Sequence, residues 1–153
     1  MVGDPDHIHA WQRLDARTTT SGFLRADNIT ELAESGVRHV INLAPDGESP
    51  ASLPGEADLL AARGITYSYI PVPFLAPEET QFEAFRIAYE ANEEPVHVHC
   101  IANWRVSAFF YRYNRDVRGM NEAEARALME QQWSPEAGDY AAVWGPFIAA
   151  KGE

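Results

Sequence analysis

The segment His97-Val98-His99-Cys100-Ile101-Ala102-Asn103-Trp104-Arg105-Val106-Ser107 holds the only cysteine of the chain, with four residues between it and an arginine. Pro95 to Cys100 reads as a short β-branched strand, and Arg105 to Arg118 reads as a helix stopped by Gly119. A thiol at the end of such a strand faces a helix N-terminus, where unpaired N–H groups and the helix dipole favour negative charge. Both effects lower a cysteine pKa from its free value of about 8.5 and favour the thiolate. The N–H groups of Ile101, Ala102, Asn103, Trp104 and Arg105, curled round the sulfur, form a nest for a tetrahedral oxyanion such as phosphate or sulfate. Arg105 adds a fixed charge and a planar fork of donors. A nucleophile, an anion cradle and a clamp so close together suit covalent chemistry through a phosphocysteine, which needs neither metal nor cofactor.

The elements that position this loop follow an α/β pattern. Asn28 and Glu31 have capping-box spacing before a helix ended by Gly36. Val37 to Leu43 reads as a buried strand stopped by Pro45-Asp46-Gly47, and Pro54 to Arg63 reads as a helix ended by Gly64. Ile65 to Val72 reads as a strand and Glu78 to Asn92 as a helix. Further helices are expected from Asn121 to about Gln132 and from Tyr140 to Ala150, with short edge strands at His7–Leu14 and Thr18–Gly22. This order predicts one domain over residues 1–153, a mostly parallel central sheet flanked by helices on both faces. Ligands of such sheets bind outside the carboxyl ends of the strands. Three loops leave those ends: Ala44 to Ser49, Val72 to Glu79 and Cys100 to Arg105.

Over roughly Thr19 to Phe110 the sequence resembles the small bacterial phosphatase-like family (DUF442 type) also found fused to beta-lactamase hydrolase-like proteins. That family lies within the cysteine-dependent protein tyrosine and dual-specificity phosphatases. Four blocks carry the resemblance in order: Thr20-Ser21-Gly22, Val40-Ile41-Asn42-Leu43 followed by Pro45-Asp46, Tyr69-Ile70-Pro71-Val72, and Val98-His99-Cys100. It implies a cysteine-phosphatase fold, with Cys100 as nucleophile and Arg105 as phosphate clamp. It also places a hydroxyl, Ser107, where these enzymes ease thiolate departure. The usual phosphatase loop has five residues between Cys and Arg. The four found here also match the rhodaneses, whose short loop carries a persulfide. Relatives often show a general-acid Asp near Pro73, which cannot donate a proton. Asp46 is the first replacement, because Pro45-Asp46 belongs to a matching block; Glu78, Glu79 and Glu48 are alternatives.

Other residues read more plainly. His97 and His99 share one strand face and suit core hydrogen bonding, with His99 bonding near the loop to hold the thiolate; no third ligand at useful spacing makes either a metal site. His7 and His9 repeat the spacing, and they too lack a further ligand that would make them a metal site. Arg112, Arg115 and Arg118 recur at helical spacing and read as a solvated face. Trp133 and Trp144 read as packing residues and Trp104 as a pocket wall. Twelve basic against twenty-three acidic side chains leave a formal charge of −11, so neither nucleic acid nor an anionic membrane is expected as a partner. The lone thiol and the lack of a basic, then apolar, leader fit a cytoplasmic protein. The expected activity is a cysteine-dependent phosphatase acting on a phosphorylated small molecule or phosphoprotein. The alternatives are a rhodanese-like persulfide sulfurtransferase and a catalytically weak anion-binding module.

Overall fold

Val40 and Ile41 are neighbours in sequence and lie in different cores. Side chains alternate across a strand, so one sheet buries both faces when each is covered by helices. A computed structural model of the protein describes residues 3–150. Its five strands are β1 (Gln12–Arg13), β2 (Thr18–Ser21), β3 (His39–Asn42), β4 (Thr66–Tyr69) and β5 (Val96–His99), in the spatial order β1-β2-β5-β3-β4. The β2–β5, β5–β3 and β3–β4 pairs are parallel; only β1 runs antiparallel, at one edge.

Among the described residues six helices cover this sheet: α1 (Ala26–Glu34), α2 (Glu56–Ala61), α3 (Glu79–Glu90), α4 (Trp104–Asp116), α5 (Glu122–Glu130) and α6 (Ala141–Ala149). On one face α1 and α2 contribute Ile29, Leu32 and Leu60 to a core with Val40 and Ile65. On the other, α3 to α6 supply Phe85, Phe109, Met129 and Trp144 against Ile41, Val96 and Val98. None of the helices among the described residues is long and apolar enough to cross a membrane.

Several expected elements are shorter. The strands expected at 37–43 and 65–72 contract to β3 and β4, and the helix expected at 54–63 contracts to α2. The edge strand expected at 7–14 reduces to β1, because only Gln12 and Arg13 find partners on β2. Asn28 does not begin α1: it sits inside the first turn, and its side-chain oxygen accepts the Arg25 amide at 2.8 Å. The expected solvated arginine face is also corrected. Arg112 is fully buried, pairs with both oxygens of Glu79, and lies 4.3 Å and 4.7 Å from the ring centres of Phe82 and Phe147. The planar guanidinium is weakly hydrated and tolerates this aromatic sandwich better than an ammonium would.

Candidate active site

β5 ends at His99, and Cys100 leads directly into the turn that opens α4. The amides from Ile101 to Arg105 find no backbone acceptor among the described residues, since they belong to the turn and the first helical residues. Asn103 makes the turn possible. It adopts a left-handed conformation (φ 67°) that asparagine tolerates better than most residues, and it is fully buried. Its side-chain amide donates to the Ala10 carbonyl at 2.8 Å and to Thr20 Oγ1 at 3.0 Å, tying the turn to β2. Phe23 N donates to the Ile101 carbonyl at 2.9 Å and fixes the turn from the same side.

Arg105 joins all three loops at the strand ends. Its Nη1 donates to Glu48 Oε2 at 2.7 Å and to the Val72 carbonyl at 2.8 Å, while Nη2 donates to Glu48 Oε1 at 2.7 Å. A guanidinium has five N–H groups, and these contacts use three. The two left over are Nε–H, buried without a partner, and one Nη2–H. They lie along a single edge of the planar fork, spaced for two oxygens of one tetrahedral anion. The arginine side chain is 3% exposed. Burial opposes its charge, yet hydrogen bonding to Glu48 and the electrostatic and hydrogen-bonding interactions with Cys100 and Glu48 outweigh that cost and raise its pKa above the ordinary arginine value.

Cys100 lines two cavities. One is walled by Glu48, Phe74, Ile101, Ala102, Trp104 and Arg105. Trp104 stacks almost parallel on Trp133 with ring centres 4.7 Å apart, and Arg105 lies 5.6 Å from the centre of the Phe74 ring, so this wall is aromatic. The other cavity is lined by Asn42, Asp46, Glu56, His99 and Ile101 among others.

The structure separates the candidate acids. Asp46 is exposed on the loop after β3, on the second cavity, with its backbone amide donating to the Tyr69 hydroxyl at 2.7 Å. Glu48 shares the first cavity but spends both carboxylate oxygens on Arg105. Glu79 is committed to Arg112, whose guanidinium beside it lowers its pKa. Glu78 precedes α3, with its amide bound to Gln81 Oε1 at 2.9 Å, and lines neither cavity. Ser107 is not brought to the sulfur: its hydroxyl donates to the Trp104 carbonyl at 3.1 Å and faces a separate cavity with Thr20 and Met129. The shorter loop brings helix residues one position closer to the cysteine, which turns this hydroxyl away.

His99 Nδ1 lies 3.2 Å from the carbonyl of Cys100, the residue after it, rather than at its sulfur. Its partner on the other side carries no local sequence signal. His99 Nε2 lies 2.6 Å from Glu56 Oε2, both side chains are buried, and Glu56 begins α2. His97 bonds Thr19 and Ser21 through its two ring nitrogens at 2.8 and 2.7 Å. No cluster of three or more metal-ligating side chains is present among the described residues.

A parallel sheet with the cysteine turn at its carboxyl edge and an arginine opening the following helix is the architecture of the cysteine-based phosphatases. Residues 13–112 match the family described as beta-lactamase hydrolase-like protein, phosphatase-like domain. The chain belongs to that family and is an enzyme domain of the phosphatase-like class. A beta-lactamase hydrolase-like protein of Xylella fastidiosa is 33% identical over 118 residues, 75% of this chain and 27% of that protein. The chain thus spans about a quarter of the length of that relative. Among solved structures, a DUF442 protein of Shewanella putrefaciens is 33% identical with a TM-score of 0.79, covering 93% of this chain and 88% of that one. TpbA of P. aeruginosa, crystallised with phosphotyrosine, shares the fold at 17% identity and a TM-score of 0.73, covering 97% of this chain and 88% of its own.

Proposed function

We propose that this domain is a cysteine-dependent phosphatase that hydrolyses phosphomonoesters through a phosphocysteine intermediate. The observation that carries the reading is Arg105 Nε, a buried charged donor beside Cys100 with no hydrogen-bond partner among the described residues, on the edge of the fork that the two bonds to Glu48 leave free. A buried unpaired donor costs about 1–3 kcal/mol, so this charged donor favours an anion arriving there. Membership of the phosphatase-like family and the phosphotyrosine bound by a protein of the same fold support the same reading.

In this mechanism the Cys100 thiolate attacks phosphorus in line with the leaving oxygen. The amides from Ile101 to Arg105 and the free edge of Arg105 hold the three non-bridging oxygens as charge shifts onto them. The P–O bond breaks, and Asp46 donates a proton to the leaving oxygen. Water then attacks the phosphocysteine, Asp46 takes its proton, and the P–S bond breaks to release phosphate and the thiolate. His99 positions the Cys100 carbonyl, and Glu56 positions His99. Replacing Cys100 with Ser tests the scheme: turnover of an aryl phosphate is lost while phosphate still binds. Equal turnover by Cys100→Ser and wild type overturns it.

A second reading is persulfide sulfurtransfer, and one observation favours it. With Glu48 already neutralising Arg105, the short loop suits a small singly charged group such as a persulfide sulfur. Cys100 would then take the outer sulfur of thiosulfate, releasing sulfite, and pass it to a nucleophilic acceptor such as cyanide. Thiocyanate formation that depends on Cys100, without turnover of any phosphoester, selects this reading over the first.

A further inference from the structure

We propose that Glu48 makes the Cys100 cavity selective for a phosphomonoester that carries no second anionic group. The proposal rests on the oxyanion reading above and names the substrate class that site would take. Arg105 is the one cation among the residues lining the cavity, and Glu48 contacts it end-on through two hydrogen bonds of 2.7 Å. At this range the carboxylate offsets part of the guanidinium charge. What Arg105 retains is local and directional: two N–H groups on one edge, beside the sulfur. On the oxyanion reading, the loop amides, which have no backbone acceptor among the described residues, supply the remaining donors to the same tetrahedral group.

One phosphoryl group is therefore well held, and nothing is left for another. The rest of the cavity is Phe74, Trp104, Ile101 and Ala102, all apolar, with Glu48 itself at the rim, its side chain 28% exposed. Asp46 lies two residues away on the same loop. A carboxylate or second phosphate on the substrate would leave water for an apolar wall and face Glu48 rather than a cation. The net charge of −11 adds repulsion at longer range. A neutral or positively charged leaving group meets none of these costs. Glu48 thus acts as a specificity-determining residue: it orients the clamp and withdraws its excess charge.

The test uses two esters that differ by one charge, phenyl phosphate and 4-carboxyphenyl phosphate, with inositol hexakisphosphate as the polyanionic extreme. The readout is protection of Cys100 from iodoacetamide, which reports binding and needs no turnover. In wild type, phenyl phosphate is expected to protect at concentrations at least tenfold lower than 4-carboxyphenyl phosphate, with inositol hexakisphosphate weaker still. Glu48→Gln is expected to narrow the gap to within threefold, and Glu48→Asp, which keeps the charge, to retain most of it. Equal protection of wild type by all three compounds overturns the selectivity while leaving the oxyanion site standing. Protection by none of them overturns the oxyanion site and the selectivity together. Should Glu48→Gln fail to fold, the wild-type series with Glu48→Asp decides.

Discussion

The carbonyl oxygen of Ile101 occupies the space that a side chain on Gly22 would need: a Cβ built there would clash with it directly. The absence of a side chain at the end of β2 is what lets the cysteine turn press against the sheet edge, with Phe23 N bonded to the same carbonyl. In Gly22→Ala the turn must shift, because its Ile101 backbone is the obstacle. Overpacking of this kind costs about 1–3 kcal/mol of stability. The expected outcome is a variant that still folds, by urea denaturation, with kcat/KM for p-nitrophenyl phosphate reduced roughly tenfold or more, since small displacements of reacting groups are costly. Wild-type kcat/KM in the folded variant would show that this contact does not position the loop.

Asp46 as general acid predicts a dependence on the leaving group. Asp46→Asn should lower kcat by about 10²–10³ on phenyl phosphate, whose departing oxygen needs a proton, and far less on p-nitrophenyl phosphate. Equal losses on both esters would point to a structural role for this side chain, and no loss on either would assign the proton to another group.

Arg105→Lys keeps the charge and removes the fork. A lysine ammonium cannot serve both oxygens of Glu48, the Val72 carbonyl and two oxygens of a phosphoryl group at once. A loss of about 100-fold or more in kcat/KM is expected, on the scale of removing a transition-state donor. Retention of activity within threefold would mean that charge alone suffices.

How far these features are legible in the sequence follows from the distance between partners. Cys100, the turn and Arg105 are contiguous, and the β-branched run before them and the helical run after them are local signals. Asn103 is readable as the left-handed residue because few other residues in a glycine-free turn accept that conformation. The Arg105–Glu48 and His99–Glu56 pairs join residues 57 and 43 positions apart, and the loops that bring them together carry no periodicity. Arg112 misleads for a different reason. A spacing of three with Arg115 and Arg118 suggests a stripe, but Arg112 lies seven after Arg105 and so shares its inward face. The aromatic rings and Glu79 that receive it come from elsewhere in the chain. The expectation for Ser107 rests on analogy to a longer loop, and one residue fewer rotates it out of the site.

His97 predicts how stability responds to acid. It is fully buried, and burial together with the neighbouring His99 holds its pKa well below the ordinary histidine value. The folded protein thus keeps this ring neutral, while in the unfolded chain it takes up a proton near pH ~6.5. Below that pH the unfolded state binds the extra proton, so this residue lowers stability by about 1.4 kcal/mol per pH unit until the folded pKa is reached; above it the contribution is flat. Urea unfolding between about pH 7 and pH 5 should show a shallower decline in His97→Gln than in wild type. Identical slopes would mean that His97 is not the group that resists protonation.

The most direct measurement is the mass of Cys100 during turnover. Wild type mixed with phenyl phosphate, quenched in acid within a turnover and digested, should yield the Cys100 peptide carrying the mass of one phosphoryl group, and Cys100→Ser should yield none. A peptide that remains unmodified while the ester is consumed at the wild-type rate by both proteins would contradict nucleophilic attack by this sulfur.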